Sequence, residues 1–173
     1  NLRKSLAHSY RLTAFIAAGV LILSQLFASL VLTGLHTPSN IIGMSLLYLR
    51  IIFCGIPATA AYNMFASALR AMGNSKTPLT AMIIASVLNV SLDILFVAGF
   101  GWGVAGAAIA TVIAQSFSAV YCFLILRRID IVHLTRADFM PASGMNARLM
   151  KLGIPVVFQN IIIGVGGLVV QYV

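Results

Sequence analysis

Asp93 is one of three acidic residues in the chain, with Asp130 and Asp138, and it alone lies inside a long apolar stretch. A charge at the bilayer centre costs roughly 3 kcal/mol on insertion scales, so an intramembrane acid is a functional candidate by default. Asn89 precedes it by one helical turn and Ser86 by two, which places all three on one helix face. In so apolar a setting the carboxyl is a candidate to take up and release a proton, as a proton-coupled carrier requires. The competing reading is structural: a protonated or hydrogen-bonded acid that only holds helices together. The spacing leaves both open.

Two further polar stripes repeat at helical spacing. Thr111, Gln115 and Ser118 stand at i, i+4 and i+7, and Thr59, Asn63 and Ser67 at i, i+4 and i+8. Interhelical hydrogen bonding explains each stripe alone, at about 0.6 kcal/mol per bond. Three stripes on consecutive helices converge better on one wet cavity. Tyr62, Tyr48 and the seven Met residues read as packing, and such linings also suit a site that accepts varied apolar cations. Arg50, two turns inside an apolar stretch, reads as a side chain snorkelling to the interface. No His pair, HExxH or Ser/His/Asp set occurs, Cys54 and Cys122 lack CxxC spacing, and three acids are too few for a carboxylate-rich metal cage. Enzymatic chemistry, a metal site and an organic cofactor are therefore not expected.

The elements that must position these residues follow from composition. Of 173 residues 61% are hydrophobic and only 8% charged, far from the roughly 25% charged residues of soluble domains. An all-α integral membrane protein is the class that fits. A hydrocarbon core about 30 Å thick needs about 20 apolar helical residues, and spans are predicted near 12–35, 41–69, 78–98 and 104–126. A fifth begins near 154 and runs off the end, as expected of a piece cut from a longer protein. Gly55-Ile56-Pro57 is predicted to break or bend the second span. Thr77 reads as an N-cap with Pro78 at the first helical position. Gly99, Gly101, Gly103 and Gly106 read as a tight interhelical turn rather than a dinucleotide fingerprint, which needs a βαβ unit. Gly106, Ala107, Ala110 and Thr111 give small-residue spacing for close helix packing.

The 11 Lys and Arg give a formal charge of +8 and alternate with the apolar blocks. Arg3, Lys4 and Arg11 precede the first span, Arg70 and Lys76 follow the second, and five more cations fall between Arg127 and Lys151. The other two turns, around Pro38 and Trp102, carry none. The positive-inside rule therefore runs odd-numbered spans from inside to outside. The basic stretch 127–153 is read as an orientation signal touching anionic lipid, with no nucleic-acid partner.

Four segments carry a family resemblance: Tyr48-Leu-Arg-Ile51, Ala68-Leu-Arg-Ala-Met-Gly-Asn-Ser-Lys-Thr-Pro78, Leu88-Asn-Val-Ser-Leu-Asp-Ile-Leu-Phe96 and Gly103-Val-Ala-Gly-Ala-Ala-Ile-Ala-Thr-Val-Ile113. In order, they resemble the multidrug and toxic compound extrusion (MATE) transporters, and Leu152-Gly-Ile-Pro155 with Gln159 resembles the start of that family's seventh helix. The resemblance implies a MATE-like bundle, a fragment of a two-lobe, twelve-helix transporter. Residues 1–126 would be helices three to six of the amino-terminal lobe, 127–153 a cytoplasmic inter-lobe linker and 154–173 the start of the carboxyl-terminal lobe. Asp93 matches the helix-five acid of the DinF-like branch, where it pairs in a cavity with a helix-one acid that this chain does not contain. Asn89 and Thr111 match polar members of the same cavity.

The resemblance implies an antiporter of the cell membrane that exports amphipathic or cationic compounds by alternating access, in exchange for protons or sodium ions. Asp93, Asn89 and Thr111 would couple the ion, and Ser86, Asn63, Gln115, Thr59 and Tyr62 would line the cavity. The remaining helices of the full-length chain and the lipid bilayer are the other expected partners. Two rival readings are a lipid-linked oligosaccharide flippase, which usually needs several intramembrane cations where this chain offers Arg50, and a non-transporting membrane scaffold, which would tolerate Asn at position 93.

Overall fold

A computed structural model of the chain describes residues 2–34 and 38–129, and within 150–163 residues 150–151, 153–155, 157–159 and 162–163. Tyr10–His133 forms one compact unit, and Asn1–Ser9 with Leu134–Val173 forms another. In the second unit the described residues are helical. Most of the expected linker, and the fifth span beyond residue 163, lie outside the described residues.

The apolar blocks fold as helices because a chain in lipid must satisfy its own backbone N–H and C=O groups. The helices are α1 (Leu2–Gly34), α2 (Ile42–Cys54), α3 (Ile56–Ala71), α4 (Lys76–Asp93) and α5 (Gly103–Arg127), with a six-residue π-helical turn, Ile94–Gly99, ending α4. Together they give four stretches long and apolar enough to cross a membrane: Ser5–Gly34, Ile42–Ala71, Lys76–Gly99 and Gly103–Arg127. Helical structure continues past the apolar blocks because the flanking Arg and Lys are good helix formers whose heads reach water.

Among the described helices of the Tyr10–His133 unit, α5 holds the centre, packed against α2, α3, α4 and the π turn. Its buried positions are mostly small, including Gly106, Ala108, Ala110, Ala114 and Ala119, and small residues let helix backbones approach closely. Gly106 shows how closely: a Cβ there would lie 2.9 Å from Phe96 Cβ and 3.1 Å from Trp102 Cβ. Leu69 of α3 and Leu126 of α5 are fully buried at the end opposite the π turn. There Tyr10 of α1, Phe65 of α3 and Phe123 of α5 form a ladder of rings with centroids 5.4 and 5.3 Å apart.

The second span is interrupted where the sequence predicts. Pro57 has no N–H to donate back to Phe53, and α2 ends at Cys54 with the Gly55 N–H turned to Ile52 O at 2.9 Å. Gly55 also abuts α5, because a Cβ there would come within 3.0 Å of Val112 Cγ2 and of Ile52 O. Across this break Gln25 of α1 donates its amide to Arg50 O at 2.9 Å and reaches Cys54 Sγ at 3.4 Å. The Arg50 side chain is exposed.

The start of α4 corrects the expectation for Thr77 and Pro78. The helix begins at Lys76, two residues before the proline, and Ser75 at its N-cap makes no side-chain capping bond. Asn74 does that work: its Oδ1 accepts the Thr77 N–H at 3.1 Å. An amide three residues upstream reaches the first free N–H groups of the helix, whereas Thr77 already lies inside it. Asn74→Ala in the full-length protein is expected to cost about 1 kcal/mol of stability. An unchanged melting temperature in detergent would show that the cap carries nothing.

The turn between α4 and α5 is tight, as the glycines suggest. Phe100 N–H donates to Leu95 O and Trp102 N–H to Phe96 O, both at 2.9 Å. Gly101 at φ 68° makes the reversal that an L side chain would resist. Phe96 and Trp102 stack with centroids 5.2 Å apart over this turn.

Candidate functional site

The three polar stripes converge except at Ser67, which lies outside the cavity and accepts from the Arg70 guanidinium at 3.3 Å, and at Asp93. Thr59, Tyr62 and Asn63 from α3, Ser86 and Asn89 from α4, and Thr111 and Gln115 from α5 line one cavity of about 350 Å³, with Met82, Ala85, Ala114 and Ser118 completing its wall. Met82, Ala85 and Ala114 were not evident as site residues from polarity. Their spacing was the available signal, since 82, 85, 86 and 89 fall at i, i+3, i+4 and i+7 on one helix face.

Each pair of facing helices is also hydrogen-bonded along the wall. Tyr62 of α3 donates its hydroxyl to Pro78 O of α4 at 3.2 Å. Asn89 Nδ2 of α4 donates to Thr111 Oγ1 of α5 at 3.4 Å, while that hydroxyl spends its own proton on Ala107 O at 3.0 Å. Ser118 of α5 reaches Ala81 O of α4 at 3.5 Å and Ala114 O at 3.2 Å. Thr59 of α3 lies 3.2 Å from Gly55 O and in short contact with the Gln115 amide. A hydroxyl carries one proton, so Gln115 Oε1 and Gly55 O share the Thr59 hydroxyl as alternative acceptors. The two readings of the stripes are thus compatible, because the side chains that join the helices also form the cavity wall. Asn63 and Ser86 make none of these bonds and are exposed.

The lining contains hydroxyls, amides, a thioether and a phenol, and no charged side chain. Such a wall hydrogen-bonds a solute and offers dispersion to its apolar parts, without a fixed counter-ion. Asp93 is not among the lining residues. It sits one turn beyond Asn89 at the last position of α4, immediately before the π turn. Its Oδ1 is buried without a hydrogen-bond partner among the described residues. Buried acceptors are almost always paired, so an orphan carboxylate oxygen calls for an explanation, and π turns recur at functional sites.

Gln25, which ties α1 across the break in the second span, was missed by the sequence reading. A lone amide in a 30-residue apolar span was the signal available.

The MatE family model matches residues 1–95, more than half of the sequence. Similar proteins include the probable multidrug resistance protein YpnP of Bacillus subtilis (strain 168), 36% identical over 146 residues, covering 84% of this chain and 33% of that protein. Multidrug export protein MepA of Staphylococcus saprophyticus is 27% identical over 131 residues, covering 75% of this chain and 29% of that protein. Two solved structures share the fold. A multidrug resistance MATE family transporter of the MOP superfamily in its inward-facing conformation gives a TM-score of 0.80 at 24% identity, over 87% of this chain and 34% of that one. A MATE protein in the bent conformation gives 0.78 at 21%, over 89% and 39%.

The chain belongs to the MatE family, whose members are transporters rather than enzymes. It is a multi-pass membrane protein of all-helical fold. It spans about a third of the length of the relatives it matches.

Proposed function

We propose that the full-length protein is an ion-coupled antiporter that exports amphipathic or cationic compounds across the cell membrane by alternating access. The observation that carries this reading is the open, uncharged cavity lined by α3, α4 and α5, mostly apolar in surface with a few hydroxyls and amides, and the orphan Asp93 Oδ1 one turn beyond it. The names of YpnP and MepA support multidrug export as the activity. Asp93, Asn89 and Thr111 bind the coupling ion, a proton or sodium, and Thr59, Tyr62, Asn63, Ser86 and Gln115 contact the compound. Asp93 one turn after Asn89 on α4 supports a place in the DinF-like branch, in which an acid on another helix would complete the ion site.

Residues 1–126 belong to the amino-terminal lobe, 127–153 to the inter-lobe linker and 154–173 to the carboxyl-terminal lobe. Arg70, Lys76 and Arg127 face the cytoplasm. Binding of the ion near Asp93 favours one lobe arrangement and lowers the affinity for the compound, and it can do so only by its differential affinity for the two states.

Filling the cavity tests the site. Ser86→Trp in the full-length protein is expected to weaken ethidium binding by at least about tenfold, the equivalent of roughly 1.4 kcal/mol. Its melting temperature in detergent should stay unchanged, since Ser86 is exposed to the cavity. Wild-type affinity in this variant would remove the cavity from the transport path.

A further inference from the structure

One face of α5 combines an apolar stripe with a cationic end. Ile113, Phe117, Val120 and Leu124 are each 37 to 55% exposed within the Tyr10–His133 unit, and the same face continues to the exposed Arg127. Their spacing of four, three, four and three residues makes the stripe continuous along the helix. From Ile113 to Leu124 it runs about 17 Å at 1.5 Å per residue. Half of a hydrocarbon core about 30 Å thick is about 15 Å, so the stripe has the length of one leaflet.

Arg127 is held in place at the end of this stripe. Its guanidinium lies over the Phe123 ring, 5.6 Å from the centroid, and Phe123 packs at a tilt of 41° against Phe65. Leu126 beside it is 1% exposed, which anchors the backbone. A guanidinium stacked on a ring keeps its N–H edge for an oxyanion. The exposed Arg128 follows, and Arg70 and Lys76 mark the ends of α3 and α4 that meet this end of the bundle. Asp93, the one acid among the described residues, stands at the other end of α4, about 26 Å along the helix from Lys76.

We infer that α5 carries a binding site for an anionic phospholipid, with the phosphate on Arg127 and Arg128 and one acyl chain along Ile113, Phe117, Val120 and Leu124. The stripe length fits a single leaflet, and the cationic end selects a negative headgroup. This surface is separate from the cavity and does not depend on the transport reading.

The test is native mass spectrometry of the full-length protein released from vesicles of phosphatidylcholine mixed with phosphatidylglycerol. Wild type is expected to retain phosphatidylglycerol in preference to phosphatidylcholine, and salt at about 1 M should abolish that preference by screening the headgroup charge. Arg127→Gln with Arg128→Gln is expected to reduce retention about thirtyfold, given the worth of two juxtamembrane cations. Arg127→Lys with Arg128→Lys should restore most of it. If wild type retains both lipids equally, or the Gln variant holds phosphatidylglycerol as wild type does, the site does not exist. A helix from elsewhere in the chain covering the stripe would give that result. Where the double variant fails to insert, Arg127→Gln alone decides the matter: about fivefold weaker retention is expected, and wild-type retention would overturn the site.

Discussion

Asp93→Asn is expected to yield a protein that inserts, folds and binds ethidium, but whose ethidium affinity no longer responds to pH or sodium. In wild type the affinity should change about tenfold between ion-loaded and ion-free conditions, within the usual 5- to 150-fold range of coupling between two sites. The reason lies at the end of α4, where the Asp93 Oδ1 is buried and unpaired among the described residues. A buried acceptor without a hydrogen-bond partner costs free energy, and an ion bound beside it would supply the missing partner. Asn removes the charge at nearly constant shape, so stability should hold or rise. If Asp93 only joins helices, the variant instead melts at a lower temperature and keeps its ion dependence. Isothermal titration at two pH values, with and without sodium, beside a melting curve, separates the two outcomes.

Gly106→Val is expected to be the most damaging single change to the described bundle. A Cβ at this position would sit 2.9 Å from Phe96 Cβ, 3.1 Å from Trp102 Cβ and 3.2 Å from the Phe96 carbonyl carbon. None of these is the end of a flexible side chain, so the π turn or α5 itself must move. Overpacking of this kind costs typically about 1–3 kcal/mol. Alanine partly offsets its clash by gaining up to about 1 kcal/mol of helix propensity over glycine. Valine gains less and brings two more methyl groups, so its destabilisation should clearly exceed that of Gly106→Ala. Thermal unfolding of the full-length protein in detergent checks the order. Equal melting temperatures for wild type, Ala and Val would mean that the close approach carries no energy.

The helices and the break in the second span were legible because their causes are local. Uninterrupted apolar runs leave a chain in lipid little choice but helix, and Gly55-Ile56-Pro57 removes a donor wherever it is placed. The convergence of Thr59, Asn89, Thr111 and Gln115 was legible too, since helical periodicity puts each polar stripe on one face. Other features depend on what faces what across helices. Gln25 finds Arg50 O and Cys54 Sγ only because α1 lies beside the break. The α4 start moved from Pro78 to Lys76, where the Asn74 side chain accepts the N–H of Thr77, the residue expected to cap the helix from outside it. The π turn follows from a six-residue register that no local pattern in Ile94–Gly99 announces. Asp93 shares the α4 face of Asn89 but lies one turn further along the helix, beyond the cavity wall.

The most direct test of ion-coupled export uses the full-length protein in proteoliposomes carrying an imposed proton gradient or an imposed sodium gradient. Addition of ethidium is expected to discharge one of the two in wild type and neither in Asp93→Asn. Wild-type vesicles that take up ethidium while both gradients stand undisturbed would contradict coupled antiport.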